Sequence, residues 1–109
     1  MGTERRRYPR VAIPLDGAFS DSSGWGKRNV RIADIGQGGC FIDAMSPPAI
    51  GTALIVEIAV AGRNLALPAE VVYVDRIQGF AVRFANLAPE AETELSEAIT
   101  DLTAGKRGA

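Results

Sequence analysis

The sequence contains no histidine and only one cysteine, Cys40. Without an imidazole, histidine-dependent nucleophilic catalysis is excluded, and a tetrahedral Cys/His zinc site cannot be assembled. A lone cysteine also excludes an intramolecular disulfide. No apolar run approaches the roughly 20 residues of a helical membrane span. The charged N-terminus lacks the apolar segment of a signal peptide, so a cytoplasmic protein is expected. An excess of charge of one sign is missing too. Twelve basic residues face 13 acidic ones, for a net charge of −1, which argues against a globally basic nucleic-acid binder, and no DNA partner is expected. No nucleophile–base pair, metal-ligand cluster or recognisable carboxylate pairing stands out. The expectation is therefore a protein that is not an enzyme and has neither a metal nor a cofactor.

What the chain does have is a polarised charge distribution. Arg5, Arg6, Arg7 and Arg10 lie within six residues at the front. Glu90, Glu92, Glu94, Glu97 and Asp101 lie near the back. A basic arm on a near-neutral body suits a small anionic ligand better than a long polyanion. The length of 109 residues suits one domain, and a hydrophobic content of 47% supplies a core. Residues 1–10 read as a flexible arginine-rich arm and residues 11–104 as a single domain.

Hydrophobic alternation fills most of the body. Val11 to Phe19 reads as a short edge strand, because it carries Pro14. Asn29 to Ile35 is a strand with one polar face, interrupted by Gly36 to Gly39 and resumed at Cys40-Phe41-Ile42. Ala53 to Val60 is apolar at alternate positions. Ala61-Gly62-Arg63-Asn64 is a hairpin turn. Leu65 to Val74 is a long strand in which Pro68 marks a bend or bulge, and Phe80, Val82 and Phe84 share one side of a last strand. The period then changes. Ala91, Leu95, Ala98, Ile99 and Leu102 fall on one face of a helix over about 89–102. Pro89 suits its first position, Asn86 or a neighbour its cap, and Gly105 and Gly108 its end. About six short strands followed by a helix indicate a mainly β protein, a small antiparallel barrel or sandwich.

Two segments carry candidate chemistry. Taken alone, the arm is a solvated terminus and the glycine run is a tight turn or bulge. Together they suit a guanine nucleotide. Arginine presents a planar fork of donors to phosphate oxygens or to the O6/N7 edge of guanine. Asp34 can accept from the donor edge of the same base. Cys40 alternates with core residues and reads as a buried small apolar residue. Trp25 lies in a loop and reads as packing over a barrel end, and the acidic helix residues read as a solvated face.

Arg6-Arg7-Tyr8-Pro9-Arg10 resembles the RxxxR motif of PilZ domains. Asp34-Ile35-Gly36-Gln37-Gly38-Gly39 resembles their second motif, (D/N)xSxxG. Gly51 and the strand after it, Ala69 to Val72, Gly79 to Phe84 and the closing helix also resemble the family, so that the likeness covers roughly residues 4 to 102. It implies a six-stranded antiparallel β-barrel of split-barrel type with a C-terminal helix, and cyclic di-GMP as ligand. By that resemblance Arg6 and Arg10 clamp phosphates and guanine, Asp34 accepts from guanine, Gly39 permits the close turn, and Arg5 contacts a second guanine in a stacked ligand pair. Arg7 is left as exposed charge. Gly36 departs from the pattern, since it stands where the family has serine. The lost hydroxyl contact is worth roughly 0.5–1.5 kcal/mol, about three- to tenfold in affinity. The implied function is a cyclic di-GMP sensor whose arm changes conformation and signals to a protein partner in motility, secretion or exopolysaccharide control. The alternative is a degenerate, ligand-free interaction adaptor. Non-specific RNA binding by a small barrel is a further reading.

Overall fold

A computed structural model of the chain describes residues 10–11, 14–21 and 26–108. The strands are β1 (Arg10–Val11), β2 (Leu15–Asp21), β3 (Arg28–Gly36), β4 (Gly39–Asp43), β5 (Ala53–Val60), β6 (Arg63–Asp75) and β7 (Gly79–Phe84), followed by helix α1 (Pro89–Gly108). Six of them close a ring in the order β3, β2, β5, β6, β7, β4, and β4 returns to β3. All pairings are antiparallel. The two-residue β1 continues the β2 side of β3, with Arg10 opposite Gly36 and Val11 opposite Ile35. The architecture is thus a six-stranded closed antiparallel barrel with one C-terminal helix. Closure leaves the ring without an edge. The expected edge strand is accordingly a paired one: β2 is hydrogen-bonded on both sides, and Pro14 falls between β1 and β2, where no ladder bond is needed.

Alternation fills the barrel. Ile32, Ile42, Val56, Ile58, Leu67, Val71, Phe80 and Val82 are buried, and the Phe19 and Phe80 rings meet edge to face with centroids 5.2 Å apart. Cys40 is fully buried among them. Leu95 and Ala98 of α1 enter the same core, while Ala91, Ile99 and Leu102 pack against it. Arg63, beside the β5–β6 turn, holds Asp101 at 3.2 Å and Glu97 at 3.8 Å. Gln37 Nε2 donates to the Glu92 carbonyl at 3.2 Å. These contacts seat α1 across the barrel end that carries both turns.

Several local expectations change. The Ala61-Gly62 turn has positive φ at both positions (52° and 78°), the geometry of a two-residue hairpin whose twist matches its strands. Pro68 lies in register opposite Ile55, and the bulge of β6 falls instead between Val71 and Tyr73. Asn86 takes a left-handed conformation (φ 57°) that turns the chain, and Ala88 accepts the first helical bond, from Glu92 N. Pro89 is the first helical residue. The helix continues through Gly105 to Gly108. Glycine weakens a helix by only about 1 kcal/mol and does not by itself stop one. Among the described residues no helix is long and apolar enough to cross a membrane.

Candidate functional site

The Asp34–Gly39 segment forms the end of β3, the Gln37-Gly38 turn and the start of β4. A bulge decides which way its side chains point. Ile32 pairs with Ile42 and Asp34 with Phe41, so Ala33 is an extra residue on β3. Strict alternation after the inward Ile32 would send Asp34 into the core. The added residue sends it outward and returns Ile35 inside, where it is fully buried opposite Cys40. Asp34 is half-buried on the outer face.

Gly39 is glycine because two backbones approach each other closely. A β-carbon there would lie 2.1 Å from the Val82 carbonyl oxygen of β7. Its φ is not positive, so the backbone freedom expected of this glycine run is not what Gly39 supplies. Gly36 ends β3 opposite Arg10.

Two cross-strand rows on the outer face define the site. The first runs from Arg10 through Gly36, across the hairpin to Gly39, then to Arg83 and Glu70. The second holds Asp34, Phe41, Ala81 and Tyr73. A second bulge, at Val72, brings Tyr73 into that row and leaves it 54% exposed. Arg83 Nη2 meets Glu70 Oε1 at 2.8 Å. Arg10, Asp34, Gly36 and Gly39 are therefore brought together at one corner of the barrel wall. Arg5 and Arg6 lie outside the described residues, as do Arg7 and Trp25. The sequence reading missed Phe41, Tyr73, Glu70 and Arg83 as neighbours of the motif. The outward alternation of Arg83 between Val82 and Phe84 was a usable signal for one of them, but the bulge that carries Tyr73 outward has no sequence signature.

The arrangement can present a carboxylate acceptor, an aromatic surface and the Arg83 guanidinium around backbone that carries no side chains. The surface depression bordered by Asp16, Lys27, Asn29, Glu57 and Asn64, about 320 Å³, lies away from the bulged segments, over β2, β5 and the starts of β3 and β6. It is shallow and shares no residue with the motifs.

The family model described as PilZ domain matches residues 4–101. No curated protein matches the chain significantly. Among solved structures, the PilZ domain of CeSA from a cellulose-synthesizing bacterium superposes with TM-score 0.74 at 14% identity, over 87% of this chain and 98% of that one. The PilZ domain of Escherichia coli YcgR with c-di-GMP gives TM-score 0.74 at 19% identity, covering 96% of each chain. The longer YcgR complex with c-di-GMP gives 0.80 at 22% identity over 95% of this chain, which spans about half (48%) of that protein.

Proposed function

This chain belongs to the PilZ domain family, and on that premise we propose that it is a cyclic di-GMP sensor that acts by binding and not by catalysis. The observation that carries the reading is the β1–β3 register, in which Arg10 stands opposite Gly36 beside the outward-facing Asp34. Arg10, the last residue of the first motif, thus shares one corner of the barrel with the second. In this reading Arg6 and Arg10 clamp phosphates and guanine, Asp34 accepts from guanine N–H groups, and Gly36 and Gly39 offer backbone free of side chains. Arg5 engages a second guanine. Complexes of YcgR and of Klebsiella MrkH with c-di-GMP, both similar in fold, support the choice of ligand.

The output of the sensor is a change in the residues before Arg10, which itself is already paired in β1 and so belongs to the sheet and not to the expected 1–10 arm; those residues act as an arm ordered by the nucleotide and read by a protein partner in motility, secretion or exopolysaccharide control. Residues 11–104 form the domain that holds the site, and the location is cytoplasmic. Calorimetric titration with cyclic di-GMP, using GTP and cyclic di-AMP as controls, tests the binding. Arg10→Ala and Asp34→Ala should each weaken it about tenfold or more, as expected for contacts with charged groups. Equal binding by wild type and both variants would falsify the site. Slower trypsin cleavage at Arg5 to Arg7 with ligand present tests the arm.

Gly36 favours a second reading, a protein-interaction adaptor that has lost the nucleotide. Absence of cyclic di-GMP binding, together with retained capture of a defined motility or secretion component, would support it.

A further inference from the structure

We propose that Arg83 is a further ligand-binding residue, a second cationic clamp at the far end of the glycine row from Arg10, and that Glu70 restrains it until an anionic ligand arrives. The inference rests on the reading of the chain as a cyclic dinucleotide receptor.

The geometry begins with the row Arg10, Gly36, Gly39, Arg83, Glu70. Arg10 and Arg83 stand three strand spacings apart, about 14 Å. Both positions between them are glycine, so no side chain separates the two ends of the row. Arg83 alternates with the buried Val82 and Phe84, and its own side chain is 63% exposed on the outer face. A guanidinium that swings from β7 toward the motif passes over Gly39 and then Gly36.

On its other side Arg83 meets Glu70 through a single Nη2–Oε1 contact of 2.8 Å. That contact leaves the other N–H donors of the fork for a ligand. The pair is also readily opened, because both side chains are substantially exposed and such pairs contribute little. Arginine here offers a bidentate match to phosphate that lysine cannot. Gly36 lacks the hydroxyl donor that serine would offer at the same row. Arg83 supplies a donor to that row from the opposite end, one that is charged and longer in reach. Glu70 carries the same sign as a cyclic diphosphate, so it competes with the ligand for Arg83.

The test is a cyclic di-GMP titration at fixed ionic strength of wild type, Arg83→Ala, Arg83→Gln, Glu70→Gln and Arg10→Ala. Thermal unfolding of each serves as a check on the fold. Arg83→Ala and Arg83→Gln should bind about tenfold or more weakly, as for a lost contact to a charged group. Glu70→Gln should bind about two- to fivefold more tightly, and the double variant Arg83→Ala/Glu70→Gln should match Arg83→Ala. These opposite signs separate a ligand role from a surface ion pair, for which neither substitution alters affinity. Wild-type binding that is lost in Arg10→Ala but within twofold in both Arg83 variants overturns this inference and leaves the sensor reading intact. Absence of wild-type binding overturns both.

Discussion

The two walls of this barrel are built differently. On one, β5 pairs with β6 over eight consecutive residues and β2 with β5 over five, with no shift in register. On the other, β3, β4, β7 and the second half of β6 carry a bulge at Ala33, a bulge at Val72, and glycines at 36 and 39. The regular wall aligns apolar side chains inward with the least disturbance. The irregular wall gives up ladder regularity to turn Asp34 and Tyr73 outward while keeping Ile35 and Val74 against the core. Each bulge moves one side chain to the surface without emptying an interior position. The motif residues lie on the wall where the ladder is broken, and the shallow depression between Lys27 and Glu57 lies away from the bulged segments.

The sharpest way to break this contrast is at Gly39. Gly39→Ala forces a methyl group against the Val82 carbonyl oxygen, a backbone atom that cannot rotate away. A loss of about 3 kcal/mol of stability is expected in denaturant unfolding. A shift under about 1 kcal/mol would mean that the β4–β7 approach is not fixed. On the regular wall, Leu67→Ala should cost a similar amount, about 3 kcal/mol, by leaving a cavity. Its cyclic di-GMP affinity, measured where the fold is intact, should stay within twofold. Asp34→Asn should instead act on binding. Affinity falls about tenfold in the same titration, read at matched folded fraction. Gly36→Ser should raise affinity by about three- to tenfold in the same titration; no gain would remove this position as the weak point of the site. The smallest effect is expected from Glu57→Ala, which removes the exposed 2.9 Å pair with Lys27. It should shift stability by less than about 0.5 kcal/mol and leave affinity unchanged. A larger change in affinity would bring the regular wall into the binding surface.

Much of this architecture was legible in the chain. Period-two burial at Leu54, Val56, Ile58 and Val60 and at Phe80, Val82 and Phe84 follows directly from the apolar pattern. The apolar stripe from Ala91 to Leu102 likewise marks the face that α1 buries. The juxtaposition of Arg10 with the Asp34–Gly39 segment was approachable through motif order and spacing. The register that sets Arg10 opposite Gly36 was not, because it depends on a one-residue slip between the Val11–Ile35 and Leu15–Ile32 pairs. The bulges were hidden for a related reason. Ala33 and Val72 are ordinary strand residues, and only partner strands distant in sequence reveal that each is supernumerary. Pro68 and Pro14 misled in the opposite direction. Each looks like a ladder defect, yet one sits within a paired strand and the other in a connection.

Closure of the ring also dictates an order of assembly. The hairpins β3–β4, β5–β6 and β6–β7 join segments adjacent in sequence, but β4 must find β7, whose pair nearest in sequence is Asp43 with Gly79. That pairing closes a loop of more than thirty residues, whose entropy must be paid before the contacts return it. As the chain leaves a ribosome, the Asp34–Gly39 hairpin therefore waits, with one flank unpaired, for the last strand to appear. The corner that gathers the motif is among the last parts of the molecule to be completed, and binding competence becomes a late checkpoint on the whole fold.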